Sequence, residues 1–204
     1  GFASFKIDGT CDTVWAGHRF QSRVSSDTAD GKRNQIIIAN GATVSGGQGL
    51  LVWSLNYDVL NSGTIGGATI DKFNIPGTAN TALLFKGDTG GDFGVPVAAG
   101  VNRVVNDGTI ESPGTAIRAE AGTTLITNNA GAVISGGEYA IQTGAGDDTV
   151  TVNGGRIAGN VDLGAGADTF DVTAGANAAL AVTLNRDTAA SARIANTETV
   201  RIAD

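Results

Sequence analysis

The stretch GAGDDTVTV (144–152) is followed 20 residues later by a near-copy, GAGADTFDV (164–172). Each is a Gly-x-Gly-x-Asp-Thr turn leading into an apolar run that alternates at period two. Alternation over so few residues reads as a half-buried β-strand, and the glycines open a corner before it. A corner and a strand recurring at a fixed spacing are the mark of a chain that coils and stacks on itself.

The same period organises the residues around this pair. Val104–Thr124, Leu125–Asp148, Thr149–Asp168 and Thr169–Ser191 align as segments of 21, 24, 20 and 23 residues. Ile110, Ile134 and Ile157 fall in the second apolar run of successive segments, and Ile117, Ile141 and Leu163 in the third. Three short runs per segment, separated by Gly, Asn or Asp, predict three strands and three corners in each rung of a parallel β-helix. Rungs stacked about 4.8 Å apart place every inward side chain against its copies above and below. This favours small and β-branched residues and leaves the corners to Gly and Asn.

Upstream the pattern is looser. Ile36–Asp58 reads as an earlier rung, and VLNSGTIGGATI begins another at Val59 that does not return to its starting motif until Val104. We expect one rung with outgrowths at about 68–80 and 87–103, with Thr81–Phe85 as its third strand. Two complete rungs are the competing reading. Residues 1–35 lack the repeat and carry Phe2, Phe5, Trp15 and Phe20, so they are expected to cap the stack, which otherwise exposes unpaired strand edges. Residues 36–204 then form the helix, and Ala192–Asp204 reads as an unfinished rung.

Composition agrees and excludes much else. Across 204 residues there are 31 Gly, 3 Pro and few aromatics, with neither collagen triplets nor a Pro-rich linker. The net charge is −7 and the 13 Lys and Arg are scattered, so no basic stripe exists to neutralise phosphates and no nucleic-acid partner is expected. No apolar run is long enough to span a bilayer, so no transmembrane segment is expected in this chain. No basic-then-apolar leader opens it, which suits a cytoplasmic protein or a mature exported one. The single cysteine, Cys11, excludes an internal disulfide and reads as a small buried hydrophobe.

With the rungs aligned, the chain resembles the passenger domains of bacterial autotransporters and related surface β-helix proteins. The residues that carry the likeness are Asn61–Ile65 and Asn106–Ile110 (N-x-G-T-I), Gly159–Val172, and the closing Asn196–Ile202. The resemblance implies an all-β, right-handed, single-stranded parallel β-helix of an exported protein, secreted or at the bacterial surface, with a C-terminal membrane β-barrel in the parent chain. No barrel strands are present before Asp204. Such scaffolds carry adhesins, self-association modules and enzymes alike, so function must be argued from the site. A host-surface glycan or protein, or self-association, is the expected partner.

The two glycine corners also resemble the calcium-binding turns of repeats-in-toxin proteins, which would make Asp147, Asp148 and Asp168 candidate ligands. The neighbouring corners, Glu120–Thr124 and Asn185–Asp187, break the tandem, so at most one calcium site is expected. Otherwise the aspartates serve the turns themselves. Calcium is the one cofactor that comes into question. No catalytic residue is assigned, because the only histidine, His18, has no G-x-S-x-G elbow beside it. A polysaccharide lyase or hydrolase would need carboxylates gathered near the outgrowths, with Asp71, Asp88 and Asp92 available. Binding is the stronger expectation, since specificity on a regular rod belongs to what protrudes. The candidates are Asp71, Lys72, Phe73, Lys86, Asp88, Asp92 and Phe93, with Trp53 and Tyr57 beneath them as contacts or anchors.

Overall fold

The computed structural model describes residues 4–13, 18–20, 33–52, 56–67, 80–86, 100–173, 182–183, 186–187, 190–191 and 194–203. Their regular elements are all β-strands, and every strand longer than two residues pairs in parallel. In chain order they fall into layers. The first is β1 (Ser4–Ile7), β2 (Thr10–Thr13) and β3 (His18–Phe20), followed by β4 (Asn34–Ile38), β5 (Thr43–Gly46) and β6 (Gln48–Val52). Next come β7 (Tyr57–Asn61), β8 (Thr64–Gly67) and β9 (Thr81–Phe85), then β10 (Val101–Asn106), β11 (Thr109–Ser112) and β12 (Thr115–Ala119). Two layers of two strands follow, β13 (Thr123–Asn129) with β14 (Val133–Gln142), and β15 (Thr149–Asn153) with β16 (Arg156–Asp162). The chain continues through β17 (Thr169–Thr173), β18 (Val182–Thr183), β19 (Arg186–Asp187), β20 (Ala190–Ser191), β21 (Ile194–Ala195) and β22 (Thr199–Ala203).

The first strand of each layer joins one eight-stranded sheet, ordered β1-β4-β7-β10-β13-β15-β17-β22. The remaining strands form a second sheet with two arms that meet at β14, whose first half pairs with β11 and whose second half pairs with β12. Parallel strands in stacked sheets, each paired with its equivalent one layer away, are consistent with a parallel β-helix. Alternation drives the local structure: β15 buries Val150 and Val152 and leaves Thr149 and Thr151 half-buried. The core is therefore a set of columns. One runs Phe5, Ile36, Val59, Val104, Ile126, Val150, Phe170, Val200, each residue in register with the next.

A second column holds Asn61, Asn106 and Asn128 between Ile38 and Val152. The three amides are buried. Asn61 Nδ2 donates to Asn106 Oδ1 and Asn106 Nδ2 to Asn128 Oδ1, both at 2.8 Å. Their remaining donor capacity goes to the carbonyls of Thr109, Val133 and Arg156 in the adjoining layer. Buried amides are tolerated when satisfied in this way.

Residues 57–106 add one strand to the eight-stranded sheet before β10: β7 lies between β4 and β10, β8 between β5 and β11, and β9 between β6 and β12. Residues 68–79 and 87–99 are outside the described set.

Three expectations need correction. The stretch expected to be a non-repeat cap supplies β1, β2 and β3, which sit in parallel register on β4, β5 and β6 as a layer of their own. Short strands with few inward apolar residues hid this layer in the sequence. Ile141 pairs with Val161 rather than Leu163, because an irregularity between Tyr139 and Ile141 shifts the register. Finally, Thr169 pairs with Thr199, 30 residues on, and not with a segment starting after Ser191. The antiparallel pair β19–β20 lies within that longer layer, and Ile194 completes it by pairing with Val161.

Candidate functional site

The duplicated corner is built as a ladder of carboxylates on backbone amides. Asp148 Oδ1 accepts the N–H of Thr124 at 2.6 Å, and Asp168 Oδ1 accepts the N–H of Asp148 at 2.7 Å. The next step up is Glu198, whose Oε2 accepts the N–H of Asp168 at 2.7 Å. Each acid thus caps the strand start one layer below it and supplies its own N–H to the layer above, so a corner amide with no strand partner is satisfied by a charged acceptor. Asp147 acts in the opposite direction, its Oδ1 accepting the N–H of Ala167 at 2.9 Å.

Glycine is required here by contact as well as by conformation. At Gly164, where φ is +82°, a Cβ would come within 1.9 Å of the Gly144 carbonyl oxygen. The corners touch backbone to backbone.

Asp148 and Asp168 are completely buried, and the second oxygen of each, Oδ2, has no hydrogen-bond partner. Burial pushes the Asp148 carboxyl up to about 6, with lesser upward contributions from Asp168 and Asp147. Hydrogen bonding at Thr143 and at the Thr124 N–H opposes this. The Thr143 hydroxyl donates its one proton to the Leu163 carbonyl at 2.8 Å, so proximity rather than a formed bond is its contribution. Asp168 is raised as well, again chiefly by desolvation, with Glu198 and Asp147 adding to it. Among the described residues no three His, Cys, Asp or Glu side chains come together as a group able to hold a metal ion. The inward carboxylate oxygens of the two calcium candidates, Asp148 and Asp168, and one oxygen of Asp147 are bonded to amides.

The other concave feature is a groove of about 460 Å³ on the outer face of one arm of the second sheet. Thr43 and Thr64 are in register across its floor, as are Ser45, Gly66, Glu111 and Ser135. Gly67, Ser112 and Pro113 close one side. The groove offers hydroxyls, a glycine floor and one carboxylate. The described chain leaves this side at Gly67 and re-enters at Asn80, whose carbonyl accepts from the Ser112 hydroxyl and the Thr115 N–H. The second outgrowth re-enters at Gly100, whose carbonyl accepts the Thr123 N–H. Both excursions therefore spring from anchored points without disturbing the ladder.

Of the residues expected to bind, Tyr57 is buried in the core at the start of β7 and contacts nothing at the surface. Large inward residues are what a column needs there. Lys86 follows β9, and its ammonium is taken up by Glu120, which also faces Arg118. Trp53, Asp71, Lys72, Phe73, Asp88, Asp92 and Phe93 lie outside the described residues. Sequence reasoning missed Glu198 and Glu111. The signal for Glu198 was there: Asp148-Thr149-Val150, Asp168-Thr169-Phe170 and Glu198-Thr199-Val200 share an acid-Thr-apolar start.

No protein-family model, no curated protein and no solved structure matches this chain. No helix among the described residues is long and apolar enough to cross a membrane.

Proposed function

We propose that this chain is a right-handed, single-stranded parallel β-helix of an exported bacterial surface protein, non-enzymatic, that acts in adhesion from a rigid stalk of the autotransporter-passenger kind. Handedness, export and attachment through a β-barrel elsewhere in the parent chain belong to the proposal. The observation that carries it is the pair of excursions at 68–79 and 87–99, which leave one layer at consecutive corners while β8, β9 and β10 keep their register. A scaffold that holds its ladder while extending two loops from the same layer is organised to present those loops. The groove beside the first of them, hydroxyl-lined and with Glu111 as its carboxylate, suits hydroxyl-rich glycan contact. Glycosidic cleavage by general acid and base takes a pair of carboxylates, and the groove brings one.

The test replaces 68–79 and 87–99 by short Gly-Asn turns and compares binding to a glycan array and to host cells. Adhesion should fall by at least tenfold while the circular dichroism spectrum is retained. Undiminished binding would overturn the reading, and hydrolysis or elimination products from a polysaccharide would replace it with the enzyme alternative.

A further inference from the structure

Three large apolar side chains stand out among the described residues as exposed: Phe5 at 48%, Val200 at 52% and Ile202 at 75%. They are not scattered. Phe5 and Val200 are the first and last members of one inward-facing column, and the six residues between them are at most 1% exposed. Ile202 is the last member of the neighbouring column, which begins at Ile7 and passes through Ile38 and the three buried asparagines. The exposed residues therefore mark the two outer strands of the eight-stranded sheet, β1 and β22.

We infer that copies of this chain associate head to tail, with β22 of one copy pairing in parallel with β1 of the next. An edge strand offers a row of backbone donors and acceptors that will take up a further strand. What β22 offers is what β17 offers to it, an inward pair two residues apart on a parallel strand. What β1 offers is the matching pair, Phe5 and Ile7. The contact repeats an interface that already occurs seven times in the sheet, so its geometry is that of the fold itself. Val200 would meet Phe5 and Ile202 would meet Ile7, closing both columns.

The outer face is compatible. Arg201 would stand beside Lys6, and each brings its own carboxylate, Asp171 at 3.1 Å and Asp8 at 2.8 Å, so four charges of zero sum line the junction. Such an interface is heterologous and does not close on itself, so it grows into chains of copies. The inference rests on the stacked layers alone and is independent of what the loops bind.

The test uses sedimentation velocity on the whole chain with two complementary variants, F5K and V200K/I202K. The unaltered chain should associate in a concentration-dependent series without a fixed end point. Each variant alone should lose association by about tenfold or more, since an apolar contact is replaced by a charge. Mixed in equal amounts they should form a one-to-one dimer and nothing larger, because each retains the edge that the other lacks. If lysine disturbs the last layer, as seen by circular dichroism, V200T/I202T keeps strand propensity and gives the same readout. A chain that stays monomeric at every concentration overturns the inference. So does an F5K variant that still dimerises, which would assign β22 to pairing with itself. A mixture of the two variants without a dimer does likewise.

Discussion

Asp168 Oδ1 accepts the backbone N–H of Asp148 at 2.7 Å, so the two acids that make the corners look like ion ligands are bonded to each other's layers. The acid at each corner completes the ladder where the strand has not yet begun. The remaining oxygen, buried and unpartnered in both residues, is where the corner retains chemical character.

That oxygen makes stability depend on pH. Asp148 rises from its ordinary 3.8 to about 6 on folding, so between those values the folded chain holds the proton that the unfolded chain has released. The contribution is complete below about 3.8 and is lost as pH rises through about 6. Asp168 shifts in the same direction. Thermal melts should show a loss of about 1–2 kcal/mol across this window, less than the full shift because water reaches the corner. D148N, which keeps the acceptor for Thr124, should flatten the slope. An unaltered slope in D148N would remove Asp148 from the account.

Calcium should leave the midpoint where it is. The corner oxygens directed inward serve amides, and the described residues assemble no trio of acidic ligands. Melts in calcium and in chelator should coincide. A rise of several degrees at saturation would mean that the two free Oδ2 atoms recruit the ion after all.

Two glycines separate contact from conformation. Gly164 and Gly41 have similar backbones, with φ of +82° and +78°, but a Cβ at Gly41 meets nothing within 4 Å, whereas at Gly164 it meets the Gly144 carbonyl at 1.9 Å. G41A should cost about 1 kcal/mol, the price of a left-handed alanine. G164A should cost several times more, since two corners must separate. Equal losses in chemical denaturation would show that the corners are not closely stacked.

Removing the central amide of the buried column should be severe. N106A leaves Asn61 Nδ2 without its acceptor and Asn128 Oδ1 without its donor, in a place water does not reach. The expected loss is about 2–4 kcal/mol, from two orphaned groups at about 1–3 kcal/mol each less some relaxation. A loss below 1 kcal/mol, read from urea titration, would mean that the column repacks freely.

Much of this architecture is legible in the residues. Ile110, Ile134 and Ile157 do lie in register, because period-two alternation and a near-constant spacing leave little choice of face. Legibility fails where the spacing changes. The layer that starts at Thr169 takes 30 residues, and its extra length carried Glu198 out of alignment although its acid-Thr-apolar signature was intact. At β1 the strand is too short for alternation to be seen. The groove around Glu111 could not be read at all, since its walls come from four layers and its hydroxyls belong to commonplace outward positions. Tyr57 was misplaced for a related reason: a tyrosine beside a loop looks like a contact residue until its register fixes it inward.

The asparagine column has a consequence for how reliably the chain reaches this arrangement. Stacked layers resemble one another, so a nascent chain is tempted to dock a layer one step out of place. Three amides flanked by Ile38 and Val152 make such a slip audible to the free energy: a displaced Asn61 or Asn128 would face an aliphatic neighbour and forfeit its partner. The column acts as a key cut into otherwise interchangeable discs, and assembly fidelity, more than strength, is what those three residues contribute.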